Sequence, residues 1–420
     1  MDLIYRNSEA TIITAAGEDP SYGLPGVGDC HRRRQFRFQI GKRCFVGPMR
    51  FMDKVVDGSR WGTRGWTFQE GRLSRRRLVF TDDQVYFECR GMYCYESMDI
   101  PLEKFHGESL QEFGARYMKN SWIYERRIRV FQPNERVGWY IYDQIQDYSE
   151  RNFTKPSDRL NGFLGMLNYI NAIHGFRHLW GMPIPPDKGF VKNRRVLPFY
   201  EPHYSNTSFV KGLFFHHASQ SPDRVTRIPI FPSWSWLGWD GGVLYPLYLK
   251  GEGHYSPLEV GVSIELKNGQ LLDLCDFHER YAELNDYSQL THFLHISAPV
   301  ALAYVVTEDR TPEGYLQCIF RLDNGCHLRT TLEDVIDCRG GLLFGIIWAN
   351  YGHAALVILT RMVRDGFKRV GMINCLRSKD SDELLTSDYV FICNGDRILS
   401  YFEGEFWTHL ETENMTLRLI

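Results

Sequence analysis

Glu70 is the carboxylate whose setting raises the question of chemistry. It closes the run Trp66-Thr67-Phe68-Gln69-Glu70, beside apolar residues and near several arginines. Such a carboxylate is a helix cap, an ion-pair partner or a functional acid, and the neighbouring arginines favour the ion pair. Cys89 and Cys94, with Glu88 and Glu96, could be imagined around a metal, but their spacing and the lack of a local histidine argue against it. His216 and His217 are adjacent, so on a helix they project to different sides and serve packing rather than one shared metal. The reading therefore assigns no metal site. Trp234 and Trp236 alternate with Ser233 and Ser235, a period-2 pattern that puts both indoles on one face. They could stack on a sugar or a base, but burial is favoured because each removes a large apolar area from water and can donate to a carbonyl. The basic runs at 31–34 and 75–77 read as solvated faces rather than phosphate sites, with Arg76 available to Glu70 or Asp82. The chain contains no GxxxxGK[ST] loop, GxSxG elbow or HExxH helix.

The elements that must position these residues follow from periodicity and turn chemistry. Trp61, Trp66, Phe68 and Leu73 keep a loosely helical spacing, and Trp66 reads as a core residue whose truncation to alanine would cost about 3–5 kcal/mol. Residues 78–80 and 85–87 are two β-type runs around a turn at 81–84. Upstream, a short helix leads into a strand over 11–16, apolar on both faces and suited to the interior of a parallel sheet. The Gly/Pro-rich loop at 17–26 is then either a ligand rim or a surface turn. Residues 35–40 are strand-like. Helices are predicted over 101–120 and 137–153, where Trp139, Tyr142, Ile145 and Tyr148 hold one face. Ser157 caps a further helix with a stripe of Leu160, Phe163, Leu164, Leu167 and Ile170. Residues 181–195 read as a flexible loop. From 243 onward the chain is β-rich, with strands at 258–266, 293–296, 301–306, 315–319, 342–348, 354–360, 367–373 and 415–420, as in an antiparallel sandwich or barrel. No internal repeat of 20–50 residues is present.

Arg64-Gly65-Trp66-Thr67-Phe68-Gln69-Glu70, followed by Leu73, Ser74, Arg76, Val79 and Phe80, resembles the "RGWTxQE…LSxR…F" block of the fungal heterokaryon incompatibility (HET) domain. The preceding block is matched by the run from Ile4 and Tyr5 through Thr11, Ile12, Ile13, Ala15 and Gly17, and by Gly23-Leu24-Pro25-Gly26. Tyr148-Ser149-x-Arg151, Ser157-Asp158-Arg159-Leu160, Pro232-Ser233-Trp234-Ser235-Trp236 and Phe367-x-Arg369-x-Gly371 resemble segments that follow such domains. The "SYxWG" and "WIDxxCIxQ" segments that usually open the domain are not found, which leads us to expect an incomplete or truncated domain.

The resemblance implies a fold and an activity. HET domains resemble TIR domains, with a flavodoxin-like α/β core, and some TIR domains cleave the nicotinamide–ribose bond of NAD with a glutamate. By that likeness Glu70 is the candidate catalytic residue, with NAD as substrate and no resident cofactor; the carboxylate would steady an oxocarbenium-like ribose and the incoming water. The implied role is non-self recognition leading to programmed cell death. Other HET-domain or NLR-type proteins are the implied partners, with oligomerisation, and an inactive relative is the remaining alternative.

The expected architecture is α/β plus all-β. It comprises an incomplete TIR-like α/β domain (1–100), a helical middle region ending in the Pro-Ser-Trp-Ser-Trp motif (101–242) and an antiparallel β-rich domain (243–420). Composition suits a globular chain, with 43% hydrophobic, 24% charged and 14% aromatic residues. A net charge of −2 gives no general attraction for nucleic acid or a membrane surface, and neither is expected as a partner. The apolar runs at 342–348 and 354–359 are too short to cross a bilayer. The ten cysteines include no CxxC pair and read as free, buried thiols. With no signal-peptide pattern, the expected location is cytoplasmic.

Overall fold

The computed structural model of the chain describes residues 1–89, 93–97, 137–186, 204–217, 225–245, 260–310, 316–322, 326–332, 342–350, 353–362, 366–376, 391–393 and 413–420. The helix expected at 101–120 and the loop residues 187–195 lie outside them. Two compact units are present: residues 1–135 with 150–169, and residues 136–149 with 170–420. The helices of the middle region are shared between these units.

In the first unit, α1 (Asp2–Asn7) leads into β1 (Thr11–Thr14), and a β-hairpin follows, β2 (Arg37–Ile40) and β3 (Arg43–Val46). Three short helices come next: α2 (Met52–Asp57), α3 (Arg60–Thr63) and α4 (Thr67–Leu73). The unit's sheet is completed by β4 (Arg76–Phe80), β5 (Val85–Cys89) and β6 (Tyr93–Tyr95), in the order β1-β4-β5-β6. β1 and β4 are parallel, so the segment carrying α2–α4 is the crossover that parallel strands require. The other two strand pairs are antiparallel. The Thr81 hydroxyl closes the β4–β5 turn by accepting from Asp83 N (3.3 Å) and Gln84 N (3.1 Å). Ile13, Ala15, Met52, Val56, Val79 and Tyr86 form a core cluster, with Trp61 and Tyr95 packed against it.

Two expectations for this unit change. β1 is an edge strand among the described residues, and Ile12 is 61% exposed while Ile13 is buried. A β-branched run looks apolar on both faces in sequence, but only one face here meets a core. Arg77 is not solvated: it and Glu88 are 2% and 0% exposed and form an ion pair at 3.3 Å. Strand alternation turns Arg77 inward with Val79 while Arg75 and Arg76 stay exposed.

In the second unit, Tyr142, Ile145 and Tyr148 of the helix Val137–Ser149 are buried as the stripe predicts. The helix Asp158–His174 begins where Ser157 predicts, and the unit boundary falls within it. Residues 181–184 are not a loop: Met182–Ile184 pairs with Arg177–Leu179, and all three of its side chains are buried. The expected helix through His216 and His217 ends at Lys211, and the two histidines form a short strand against Val243–Leu244.

The C-terminal strands fall where expected, and among the described residues they join in one ten-stranded sheet. Its hub is the strand Leu290–Arg310, which pairs with Gly261–Leu266, Leu316–Leu322, Leu342–Asn350 and Glu413–Leu419. Pro299 lies within that hub, which is why its sequence reads as two strands. One pair, Phe367 with Leu419, is parallel. Among the described residues no helix is long and apolar enough to cross a membrane.

Candidate functional site

α3 and α4 place Glu70. Ser59 starts α3 by accepting from Gly62 N at 3.0 Å. The Thr67 hydroxyl, 2.5 Å from Trp61 O and 2.7 Å from Arg64 O, fixes the bend into α4. One turn later Glu70 is half-buried. Its Oε2 accepts from Trp61 Nε1 at 2.8 Å and its Oε1 from the Tyr5 hydroxyl at 3.3 Å. The Glu70 carbonyl accepts from the Ser74 hydroxyl (2.6 Å), which lies 2.7 Å from the Thr11 hydroxyl. α1, β1, α3 and α4 thus meet at this one residue.

Among the described residues no arginine pairs with Glu70, which corrects the ion-pair reading. Arg76 donates instead to Glu9 (3.1 Å), and Asp82 accepts from the Tyr22 hydroxyl (2.7 Å) with Arg50 at 3.9 Å. Arg76 is an outward-facing residue of β4, so it reaches α1's side of the chain and not the carboxylate. Burial, then the negative charge of Glu70 and its hydrogen bond, hold the Tyr5 phenol above its ordinary pKa. It therefore remains a donor across the physiological range. A carboxylate fixed by two neutral donors can oppose a developing positive charge.

The other motif residues are occupied with architecture. Gly65 lies so close to Phe153 that a Cβ would come within 1.9 Å of its ring. Its N–H donates to Asn152 O (3.0 Å), and Arg64 O accepts from Arg151 (3.0 Å). Gln69 is buried and donates to Gly162 O (2.9 Å) and Asn161 O (3.2 Å). Trp66 is not a core residue: it is 37% exposed, and its indole donates to Asp158 (3.2 Å). Trp61 lies on α3 and packs against the core cluster, whereas Trp66 sits outside it at the N-cap of α4.

Ala15 is buried just after β1, and the loop that follows is built on glycine. Gly17 has φ +68°, and its Cα faces the Tyr22 ring so closely that any Cβ would clash. Gly23 and Gly26 also have positive φ, Leu24 O accepts from Val27 N (3.0 Å), and Arg32 donates to Pro25 O (3.1 Å) and pairs with Glu96. The loop's bonds run to Asp82 and to Arg32, whereas Glu70 is held by Tyr5 and Trp61.

In the second unit the Pro232, Ser233, Trp234, Ser235, Trp236 motif is a turn entering a 3-10 helix, Trp236–Gly238, rather than a strand. Its indoles therefore diverge: Trp234 donates to His292 O (2.9 Å), Trp236 to Gly181 O (3.0 Å), and Trp239 to Ser233 O (2.8 Å). All three are buried, which leaves no free ring face for stacking. The structure also joins the motif to Arg369, whose N–H donates to Ser233 (3.2 Å) while its guanidinium reaches Leu213 O (3.0 Å) and lies over the Phe215 ring.

Sequence reasoning missed one further cluster. Trp180 and Tyr287 both have left-handed backbones, φ +47° and +60°, and their rings stack at 4.3 Å. The Tyr287 hydroxyl lies 2.7 Å from His178 Nδ1, and burial lowers the His178 pKa to about 3. Nothing local in the sequence marks these partners, which are 109 residues apart.

Among the described residues no three His, Cys, Asp or Glu side chains converge as metal ligands. Cys30, Cys44, Cys89, Cys94 and Cys275 are free thiols as expected, but none is buried; Cys44 and Cys275 are exposed.

Compared with known proteins, residues 1–70 match the family model described as heterokaryon incompatibility protein (HET). The match ends at Glu70, the last residue of the run Arg64-Gly65-Trp66-Thr67-Phe68-Gln69-Glu70. No curated protein and no solved structure matches the chain.

Proposed function

We propose that this chain, a HET-domain protein through its residues 1–70, acts in fungal non-self recognition by associating with other HET-domain or NLR-type proteins, on a cytoplasmic route to programmed cell death. The observation that carries the association reading is the Glu70 cluster. Both carboxylate oxygens accept hydrogen bonds from neighbouring elements, Tyr5 on α1 and Trp61 on α3. The family motif is then a clamp that builds a surface.

The parallel β1–β4 pair with its helical crossover supports a TIR-like reading of the first unit. That likeness brings a second reading, an NAD-cleaving effector. It is favoured by one feature: Glu70 is half-exposed and oriented by neutral donors rather than neutralised by an arginine. In that role it would stabilise the cationic ribose as nicotinamide leaves.

One experiment separates the two. The full chain and Glu70→Gln are expressed in a fungal host, and viability and the cellular NAD pool are followed together. Association predicts that both kill and that NAD falls only after viability does. An early NAD loss that Glu70→Gln abolishes, with its melting curve unchanged, would hand the function to the enzyme.

A further inference from the structure

We propose that the β2–β3 hairpin is a docking element for an anionic lipid bilayer. The net charge of −2 hides a strongly uneven distribution: residues 30–52 contain seven Lys or Arg and no Asp or Glu. Arg34, Arg37, Lys42 and Arg43 are exposed and enter no ion pair among the described residues.

The apolar residues of the hairpin are equally exposed. The register pairs Phe38 with Phe45, so alternation gathers Phe36, Phe38, Ile40 and Phe45 on one face. Phe36 is 69% and Ile40 62% exposed. Among the described residues the hairpin pairs with no third strand, and an isolated two-stranded sheet in water is marginal. It is nevertheless held firmly at its base. Arg33 N donates to Asp82 O (2.7 Å) on the incoming leg, and Arg50 pairs with Asp83 (2.6 Å) on the outgoing one. A cationic hairpin tied at its base, with an exposed Phe/Ile face, has the chemistry of an interfacial anchor: cations for acidic headgroups, apolar side chains for the acyl boundary. Single-stranded nucleic acid fits less well, because the Phe38 and Phe45 rings stack on each other at 4.8 Å and 8° and so cover faces that bases would need.

The test sediments the full chain with vesicles of phosphatidylcholine alone, or of phosphatidylcholine with phosphatidylserine, in physiological salt. Binding to the anionic vesicles only is expected. Arg37→Ala/Arg43→Ala should weaken it by about fivefold per charge. Phe38→Ala/Phe45→Ala should abolish the part of the binding that survives high salt. All four side chains are exposed, so an unchanged melting curve is expected and checks the fold. Equal binding to both vesicle types, no binding, or a charge variant that binds like the wild type overturns the proposal. Capture of an RNA oligonucleotide or polyglutamate in place of vesicles overturns it equally.

Discussion

The two units solve the same problem, a stable interior, with different chemistry. The first buries charge: Arg72, Arg77, Arg151, Arg159 and Glu88 are all in its interior. Arg72 and Arg151 lie against the Phe68 ring, and Arg159 against Phe153. The second buries one guanidinium, Arg369, but relies mainly on indoles, with Trp234, Trp236 and Trp239 each fully buried and each donating to a backbone carbonyl. A buried guanidinium requires several directed partners, so it specifies one arrangement at high desolvation cost. An indole removes much more apolar area and needs a single acceptor. The first unit should therefore be intolerant of lost partners, and the second of lost volume.

The largest effect expected is in the second unit. Trp236→Ala removes a fully buried ring that meets Tyr148 edge-on and leaves Gly181 O without its donor, so a loss of about 5 kcal/mol follows. Hydrogen exchange should show it in amides of the second unit while those of the first keep their protection. Uniform loss across both would break the comparison.

Glu88→Gln comes next, at about 3 kcal/mol, because it leaves the Arg77 charge buried without its counter-charge. The sharper version replaces both partners, Arg77→Met with Glu88→Leu, and should recover most of that loss in denaturant unfolding. If the double variant is no better than the single one, the pair's role is not electrostatic.

Acid should act on the second unit through His178. Its folded pKa, about 3, lies below the ordinary value of 6.5, so the unfolded chain takes up the proton first. Stability is full above pH 6.5 and falls as pH drops toward 3, by about 2 kcal/mol at pH 5. His178→Gln should flatten that slope, and an unchanged slope would remove His178 from the account.

The smallest effect is expected at Trp66. Exposed and bound to Asp158 at the surface, it should lose only about 1 kcal/mol or less as Trp66→Ala. A loss several times larger would return it to the core and place the first unit closer to the second in kind.

Part of this contrast is legible in the sequence. Strand positions in the β-rich region, the helix start after Ser157 and the turn at 81–84 follow from local turn chemistry and periodicity. Even the Arg77–Glu88 pair carried a signal, since both residues are equally spaced from that turn and a hairpin sets them opposite each other. Charge alone suggested a solvated run, and the alternation that sends Arg77 inward was the better guide. The Glu70 carboxylate was legible as a position but not as a chemistry. Tyr5 is 65 residues away, and which donors converge on an acid is decided by how separate helices pack.

The sequence by itself determined most of the described elements, the HET match over residues 1–70 and the excess of cations in residues 30–52. Those depend on neighbours along the chain: spacing, turn residues, local charge. Only the tertiary structure decided that β1 is an edge, that Trp61 rather than Trp66 is inside, and that Trp234 and Trp236 diverge to separate carbonyls. It alone joined Arg369 to Ser233, 136 residues earlier. Each of those outcomes turns on which face of an element finds a partner. That is settled by which burial leaves the fewest unpaired polar groups and the least exposed apolar area across the whole unit, a condition no local window of sequence contains.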